Sequence, residues 1–276
     1  MRIDGNTDII AHIGWPTYSF QAPLIYNPYF EQAGIKALVV PMGCKPEHFA
    51  NYIKALFSLE NIRGALITMP HKVSVLSLLD EITPMARVAG ACNAVKRLPD
   101  GRLLGDMFDG EGFVRGMQRK GFSPKAKRCL VVGCGGVGSA IAASLAQAGA
   151  RELALFDLNP ESSQALAERL RENFPQIIVQ TGSNDPAQMD LLVNATPLGM
   201  KSGDALPVDM SRLCARTFVG EVVMAQEITA FLAAAQALGC RTQVGKDMLY
   251  EQIPAYLEFF DLPTTTAENL RAVALA

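Results

Sequence analysis

The sequence predicts an α/β fold with mainly parallel sheets, and three observations carry that prediction. Short apolar runs alternate with longer amphipathic stretches along almost the whole chain, the sequence form of strand, crossover helix, strand. The alternation falls into two series, separated by a polar stretch at residues 120–127. The second series opens on an apolar run that leads straight into Gly133-Cys134-Gly135-Gly136-Val137-Gly138, a strand, glycine-rich turn and small-residue helix in succession.

In the first series, residues 9–14, 37–42 and 64–68 read as strands, and residues 24–32, 46–58 and 73–79 as helices. In the second, residues 129–132, 152–156, 177–181, 191–194 and 217–222 read as strands, with helices at 137–147, 162–173 and 229–238. The chain shows neither an internal repeat nor a low-complexity tract. With 276 residues, it exceeds an ordinary domain of roughly 100 to 200 residues, so two domains with separate cores are expected.

Composition narrows the function. A chain that is 49% hydrophobic and 19% charged buries enough apolar surface to fold, which excludes a disordered segment. Its 25 basic residues balance 27 acidic ones without a run of like charge, so the electrostatic footprint of a nucleic-acid or membrane-surface binder is missing. The expected partner is a small-molecule substrate, with the chain as a monomer or homodimer. The N-terminus has no basic region followed by an apolar stretch, and no segment has bilayer-spanning length; the expected location is the cytoplasm. Six cysteines without a C-x-x-C pair and three histidines without ligand spacing argue against structural metal and disulfides.

The glycine-rich turn has a defined chemistry. Gly133 admits a tight turn, Gly135 the close approach of a pyrophosphate, and Gly138 close packing of helix on strand. The helix beginning Gly136-Val137 directs its free N–H groups at the phosphates. The next strand ends in Asp157, roughly 20 residues past the glycines, where a carboxylate accepts from a ribose 2′-hydroxyl and repels a 2′-phosphate. NAD is therefore favoured and NADP is the alternative, since Leu158, Asn159 and Pro160 offer no arginine. Asn194-Ala195-Thr196-Pro197 leaves a later strand at the same sheet edge. It either borders the nicotinamide half or is an ordinary turn.

Further motifs lie outside this turn: Thr68-Met69-Pro70-His71-Lys72, Gly90-Ala91-Cys92-Asn93, Gly105-Asp106-Met107-Phe108-Asp109-Gly110-Glu111-Gly112, and Gly245-Lys246-Asp247-Met248-Leu249-Tyr250-Glu251-Gln252. Together with the glycine turn and Asn194-Ala195-Thr196-Pro197, and in this order, they resemble the shikimate/quinate dehydrogenases over nearly the whole length. The resemblance implies an N-terminal α/β substrate domain of residues 1–108 plus 246–276, with C-terminal helices returning to it, and a Rossmann NAD(P)-binding domain at residues 109–245. It implies hydride exchange between a ring carbinol carbon and the nicotinamide. Lys72 and Asp109 match the residues that handle the hydroxyl proton, and Thr68, Asn93 and Gln252 those that contact substrate hydroxyls. Gly245 joins Asn194 and Thr196 on the cofactor side, and His71 is scaffold. The chemistry requires such a pair. A hydride leaves an alcohol carbon only as the O–H proton is taken up by a group within hydrogen-bond reach, and a carboxylate beside that group orients it.

The chain departs from the pattern it resembles. The family signature S-x-S-P-x-x-H-N, whose serines hold the substrate carboxylate, is here Phe20-Gln21-Ala22-Pro23-Leu24-Ile25-Tyr26-Asn27. Ser19, Gln21 and Tyr26 are the candidate substitutes for the lost hydroxyls. Each missing hydrogen bond costs roughly 1 to 3 kcal/mol. Leu66, Met107-Phe108 and Met224 also replace polar or aromatic family residues. A less polar pocket changes substrate preference more than fold, so weak turnover of shikimate or quinate is expected, with a cyclic hydroxy acid of related or amino-substituted type as substrate. Two readings compete: a dehydrogenase of the methylene-tetrahydrofolate type, opposed by the Asp109 and Gln252 motifs, and a non-catalytic NAD-responsive binding protein.

Overall fold

Runs of β-branched and small apolar residues set the frame of the first unit. In the computed structural model, which describes residues 2–274, the chain divides into two compact units. The first is Met1–Arg87, Ala91–Phe108 and Ile253–Ala276; the second is Val88–Gly90 and Asp109–Gln252. Residue 1 and residues 275–276, the ends of the expected substrate domain, lie outside the described residues.

The first unit begins with β1 (Asp8–Gly14), α1 (Ala22–Ala33), β2 (Ala37–Gly43), α2 (Pro46–Leu56) and β3 (Ile62–Ile67). Pro23 in the first turn of α1 and Gly34 beyond its end, at φ 67°, fix the length of that helix. Helix α2 carries Glu47 in its first turn and Lys54 in its last, complementing the helix dipole. A 3₁₀ turn (Ser74–Leu78), β4 (Glu81–Ile82), α3 (Pro84–Ala89), β5 (Ala94–Arg97) and β6 (Leu103–Asp106) follow. The sheet has the order β2-β1-β3-β5-β6-β4. One face is covered by Phe49 and Ile53 of α2, which pack with Ala11, Ile13, Ile67 and Val95.

The structure modifies the expectation at two places here. Residues 73–79 form a 3₁₀ turn instead of an α-helix, consistent with a stretch too short to sustain helical propagation. The sheet is mixed: β5 pairs antiparallel with both β3 and β6. The Leu98 N–H bonds to the Arg102 carbonyl across Pro99-Asp100-Gly101, and so short a reversal joins only antiparallel neighbours.

In the second unit, α4 (Asp109–Arg119) precedes β7 (Arg128–Val132), α5 (Gly136–Gln147), β8 (Glu152–Phe156), α6 (Pro160–Asn173), β9 (Ile178–Thr181), β10 (Leu191–Asn194), β11 (Phe218–Glu221), α7 (Ala230–Ala237) and β12 (Thr242–Gln243). The sheet order is β12-β11-β10-β7-β8-β9, with every pair parallel. The strand sequence therefore runs outward in both directions from β7 and β10. This is the doubly wound arrangement, which opens a crevice at the carboxyl ends of those two strands. Helix α6 starts at an Asn159 cap that accepts from the Glu161 N–H. Helix α8 (Gly245–Phe259) leaves the second unit and enters the first, and α9 (Ala267–Ala274) ends the described chain.

Among the described residues, no helix is long and apolar enough to cross a membrane, and no cluster of His, Cys, Asp and Glu could hold a metal ion. The six cysteines are free.

Candidate active site

The carboxyl edge of the second unit's sheet collects the predicted cofactor residues. Gly133 adopts φ 99°, a region closed to most side chains; a Cβ there would also lie 2.8 Å from the Ala195 carbonyl. At Gly138 a Cβ would collide with the Gly133 carbonyl oxygen, whereas at Gly135 it would meet nothing within 4 Å. Two glycines thus close the turn and the third leaves it open. Gly135 is also the N-cap of α5 and makes no side-chain cap, so the first amides of the helix, at Gly136 and Val137, have no side-chain partner from it.

Asp157 closes the turn from the next strand. Its Oδ2 accepts from the Cys134 N–H at 2.7 Å and its Oδ1 from the Asn159 N–H at 2.9 Å. Gly133 N–H donates to the Phe156 carbonyl at 2.7 Å. Burial, with Asp157 as a lesser cause, pushes the Cys134 thiol pKa up to about 12, so this cysteine is no nucleophile. An open, glycine-edged turn over free helix amides, with a carboxylate alongside, fits the diphosphate and ribose of a nicotinamide dinucleotide.

Asn194 and Thr196 stand at the adjoining strand end and organise each other. The Asn194 Oδ1 accepts from the Thr196 hydroxyl at 2.6 Å and from its N–H at 3.1 Å, while the Asn194 amide donates to the Leu198 carbonyl at 3.0 Å. The Leu198 N–H bonds back to the Thr196 Oγ1 at 3.1 Å. Both polar side chains thus build the turn. Gly245, at the start of α8, sits against backbone: a Cβ there would collide with the Val223 carbonyl.

Helix α4 is held between glycine contacts. A Cβ at Gly110 would strike the Ala140 carbonyl of α5, and one at Gly112 would lie 2.6 Å from the Met248 carbonyl and 2.7 Å from the Gln252 Cβ of α8. Asp109 is 3% exposed, and its i,i+3 relation to Gly112 puts it on the face toward α8. Gln252 is buried, and its Oε1 has no hydrogen-bond partner.

In the first unit, main-chain bonds gather Thr68, Lys72 and Asn93. Thr68 N–H donates to Ile13, His71 N–H closes the turn onto Thr68, Cys92 N–H donates to Lys72, and Ile67 N–H donates to Asn93. The Asn93 Oδ1 accepts from the Phe108 N–H at 3.0 Å, one residue before Asp109. His71 is scaffold: it stacks on Phe49 at 3.9 Å, and its Nε2 lies 2.7 Å from the Cys44 carbonyl oxygen. Of the proposed substitutes for the serines, Ser19 and Gln21 are exposed. Tyr26 is buried, and its hydroxyl has no partner.

Two functional candidates escaped the sequence reading. His12, on β1, is 9% exposed and its Nδ1 is unpartnered; the Phe20 ring stacks on it at 4.0 Å. Burial, then the Lys72 ammonium, pushes its pKa down to about 4. The only signal was an imidazole inside the apolar run Ile9-Ile10-Ala11-His12-Ile13. The second is Glu221, fully buried at the end of β11, which interrupts the strand pattern at its last position.

Comparison with known proteins gives the lineage. The family model described as "Shikimate dehydrogenase substrate binding domain" matches residues 13–95, and the "ThiF family" model matches residues 123–160. A shikimate dehydrogenase (NADP(+)) of Geobacter metallireducens is 35% identical over 260 residues, 91% of this chain and 90% of the relative. Quinate dehydrogenase from Corynebacterium glutamicum, solved in complex with NAD, superposes with TM-score 0.87 at 28% identity, over 98% of this chain and 99% of that one. The ligand-free 5-ketofructose reductase of Gluconobacter sp. strain CHM43 gives TM-score 0.88 at 28% identity over 99% of both chains. The chain therefore belongs to the shikimate dehydrogenase family.

Proposed function

We propose that this chain is an NAD(P)-dependent oxidoreductase of the shikimate/quinate dehydrogenase type, exchanging a hydride between the nicotinamide and the carbinol carbon of a cyclic hydroxy acid. The observation that carries the reading is the glycine-edged turn closed onto Asp157 through the Cys134 N–H, in a chain of this family. Residues 1–108 and 246–276 are the substrate domain on this reading, and residues 109–245 the dinucleotide domain. When bound, the dinucleotide supplies the hydride acceptor or donor. The chain's own work is to hold it and to move the proton. Gly133, Gly135, Gly136, Val137 and Gly138 receive the diphosphate, and Asp157 receives the ribose. Asn194, Thr196 and Gly245 shape the nicotinamide end. Lys72 takes or returns the hydroxyl proton at Nζ, and Asp109 orients ammonium and hydroxyl. Thr68, Asn93 and Gln252 accept or donate to the remaining hydroxyls; the unpartnered Oε1 of Gln252 is such a group.

Asp157 favours NAD over NADP, because its carboxylate repels a 2′-phosphate. Phe20 and Ala22 in place of hydroxyl residues favour weak turnover of shikimate. A second reading draws on the Phe20–His12 stack and on the 5-ketofructose reductase neighbour: the substrate is an uncharged polyhydroxy ketone. Steady-state assays with shikimate, quinate, an amino-substituted analogue and 5-ketofructose, each with both cofactors, test these readings. Turnover of a cyclic acid, abolished in Lys72→Ala and Asp109→Asn while NADH still binds, is the expected result. Unchanged activity in both variants would remove the proposed roles, and a low KM for shikimate would remove the weak-substrate reading.

A further inference from the structure

Two buried histidines of the first unit each stack on a phenylalanine, and they differ in how the ring is satisfied. The His71 ring lies 3.9 Å from that of Phe49, and its Nε2 is 2.7 Å from the Cys44 carbonyl oxygen. The His12 ring lies 4.0 Å from that of Phe20, and its Nδ1 is buried with no hydrogen-bond partner among the described residues. Native folds pair nearly all such groups, so an unpaired one calls for a reason.

The sheet explains why its own neighbours leave the ring unsatisfied. Ala11, Ile13, Ala65 and Ile67 pack into the core with Phe49, so strand alternation turns His12, Gly14, Leu66 and Thr68 to the opposite face. The register sets His12 beside Leu66 on β3 and Pro41 on β2, and neither side chain can donate or accept a hydrogen bond. Phe20 meets the ring from a turn that its own N–H closes onto the Thr17 carbonyl at 3.1 Å. Gly14 keeps the corner open: a Cβ there would lie 3.0 Å from the Phe20 Cζ and 2.7 Å from the Met69 carbonyl oxygen, and would collide with the Thr68 methyl. The His12 residue is still 9% exposed, and with Nδ1 covered, Nε2 is the polar atom left for a ligand. Burial, then the Lys72 ammonium, keeps the imidazole neutral. A neutral imidazole carries one donor and one acceptor, and a hydroxyl matches it whichever nitrogen holds the proton. A carboxylate in the same place would be desolvated beside the apolar Phe20 and Leu66.

We propose that His12 is a substrate-specificity residue, whose Nε2 hydrogen-bonds a hydroxyl of the substrate other than the one that Lys72 serves, in the corner between Phe20, Gly14 and Thr68. The role rests on the substrate-domain reading, which gives Thr68 and Lys72 to the substrate, and deepens it by adding a group that only an uncharged hydroxyl matches. The substrate is a polyol or polyhydroxy ketone with a hydroxylated edge at the end of β1, and any carboxylate it carries lies elsewhere.

Steady-state kinetics of the full chain with shikimate, quinate and 5-ketofructose test the proposal, alongside NADH titration and melting at pH 7. His12→Phe keeps a flat ring against Phe20 and loses both nitrogens. For each substrate that the wild type turns over, its KM rises by roughly five- to hundredfold, with kcat within about threefold and the NADH Kd within about twofold. His12→Gln, whose amide reaches toward the place of Nε2, recovers most of that loss, a rescue that a merely structural role of the ring does not produce. Histidine labelled with nitrogen-15 gives a second readout on the wild type: the His12 ring resonance, identified by its loss in His12→Gln, shifts on saturation with the substrate, and this decides the matter if His12→Phe does not fold. An unchanged KM in folded His12→Phe, a KM loss that His12→Gln does not relieve, or an unmoved resonance overturns the proposal and leaves the dehydrogenase reading standing. A wild type that binds NADH and turns over none of the three compounds overturns the substrate reading, and the role of His12 with it.

Discussion

Replacing Asp157 by Asn separates charge from shape in the dinucleotide turn. The carboxylate takes the Cys134 N–H at 2.7 Å on one oxygen and the Asn159 N–H at 2.9 Å on the other. An amide keeps one acceptor and turns a donor on the second N–H, so one charge-assisted bond is lost, worth about 1.5 to 3 kcal/mol. At about 2 to 4 °C per kcal/mol for a chain of this size class, Tm falls by about 3 to 12 °C. Cofactor choice responds separately. An ionised acceptor holds a ribose hydroxyl about twice as strongly as a neutral one, so NAD loses about 1 kcal/mol. Two like unit charges about 5 Å apart at an effective dielectric of about 20 repel by about 3 kcal/mol. Solvent and salt at this half-exposed site reduce that to about 1 to 2 kcal/mol. The preference for NAD over NADP should therefore narrow by about 2 to 3 kcal/mol, roughly 30- to 150-fold. Fluorescence titrations with NADH and NADPH at one low ionic strength measure the ratio. A ratio within twofold of wild type, together with the lowered Tm, would refute the reasoning: Asp157 would then brace the loop without reading the cofactor.

Two further outcomes follow from packing and titration. Gly112→Ala forces a methyl against the Met248 carbonyl and Gln252, which should cost about 1 to 3 kcal/mol and raise KM through displacement of Gln252; denaturant melts and kinetics check both, and a loss below about 0.5 kcal/mol would mean that α4 and α8 yield freely. His12 is held neutral in the fold, with its pKa pushed to about 4, while the unfolded chain takes a proton near pH 6.5. Stability carried by this site is therefore lost as pH falls from about 6.5 toward 4, by about 2 kcal/mol at pH 5. His12→Val removes that slope and the unpartnered nitrogen; melting at pH 7 and pH 5 should show a smaller difference in the variant, and an equal difference would assign the slope to another group.

Periodicity and local chemistry by themselves determine much of this protein. Strands β7, β8, β10 and β11 were legible as short apolar runs, because a parallel strand buried on both faces leaves little polar alternation to obscure it, while the edge strand β9 was legible only from the short run Ile177-Ile178-Val179. The glycine spacing and Asp157 were legible for a different reason: the turn, the close approach and the carboxylate are all requirements on consecutive or nearby residues. Tertiary structure decided what depends on distant partners. The short β4, β5 and β6 hold their places by pairing with β3 and one another, and their runs, which include Glu81, Lys96, Arg97 and Asp106, show no continuous apolar stretch to announce a strand. The sequence shows Asn194 and Thr196 as a polar turn, but only the fold sets them beside Glu221 and Thr229 of another strand and helix. Likewise, a histidine in an apolar run is legible, yet its neutral, unpartnered state depends on Phe20 and on Lys72, which lies 60 positions further along in the numbering. Burial and the field of remote charges are sums over the folded neighbourhood, and no local window of sequence contains them.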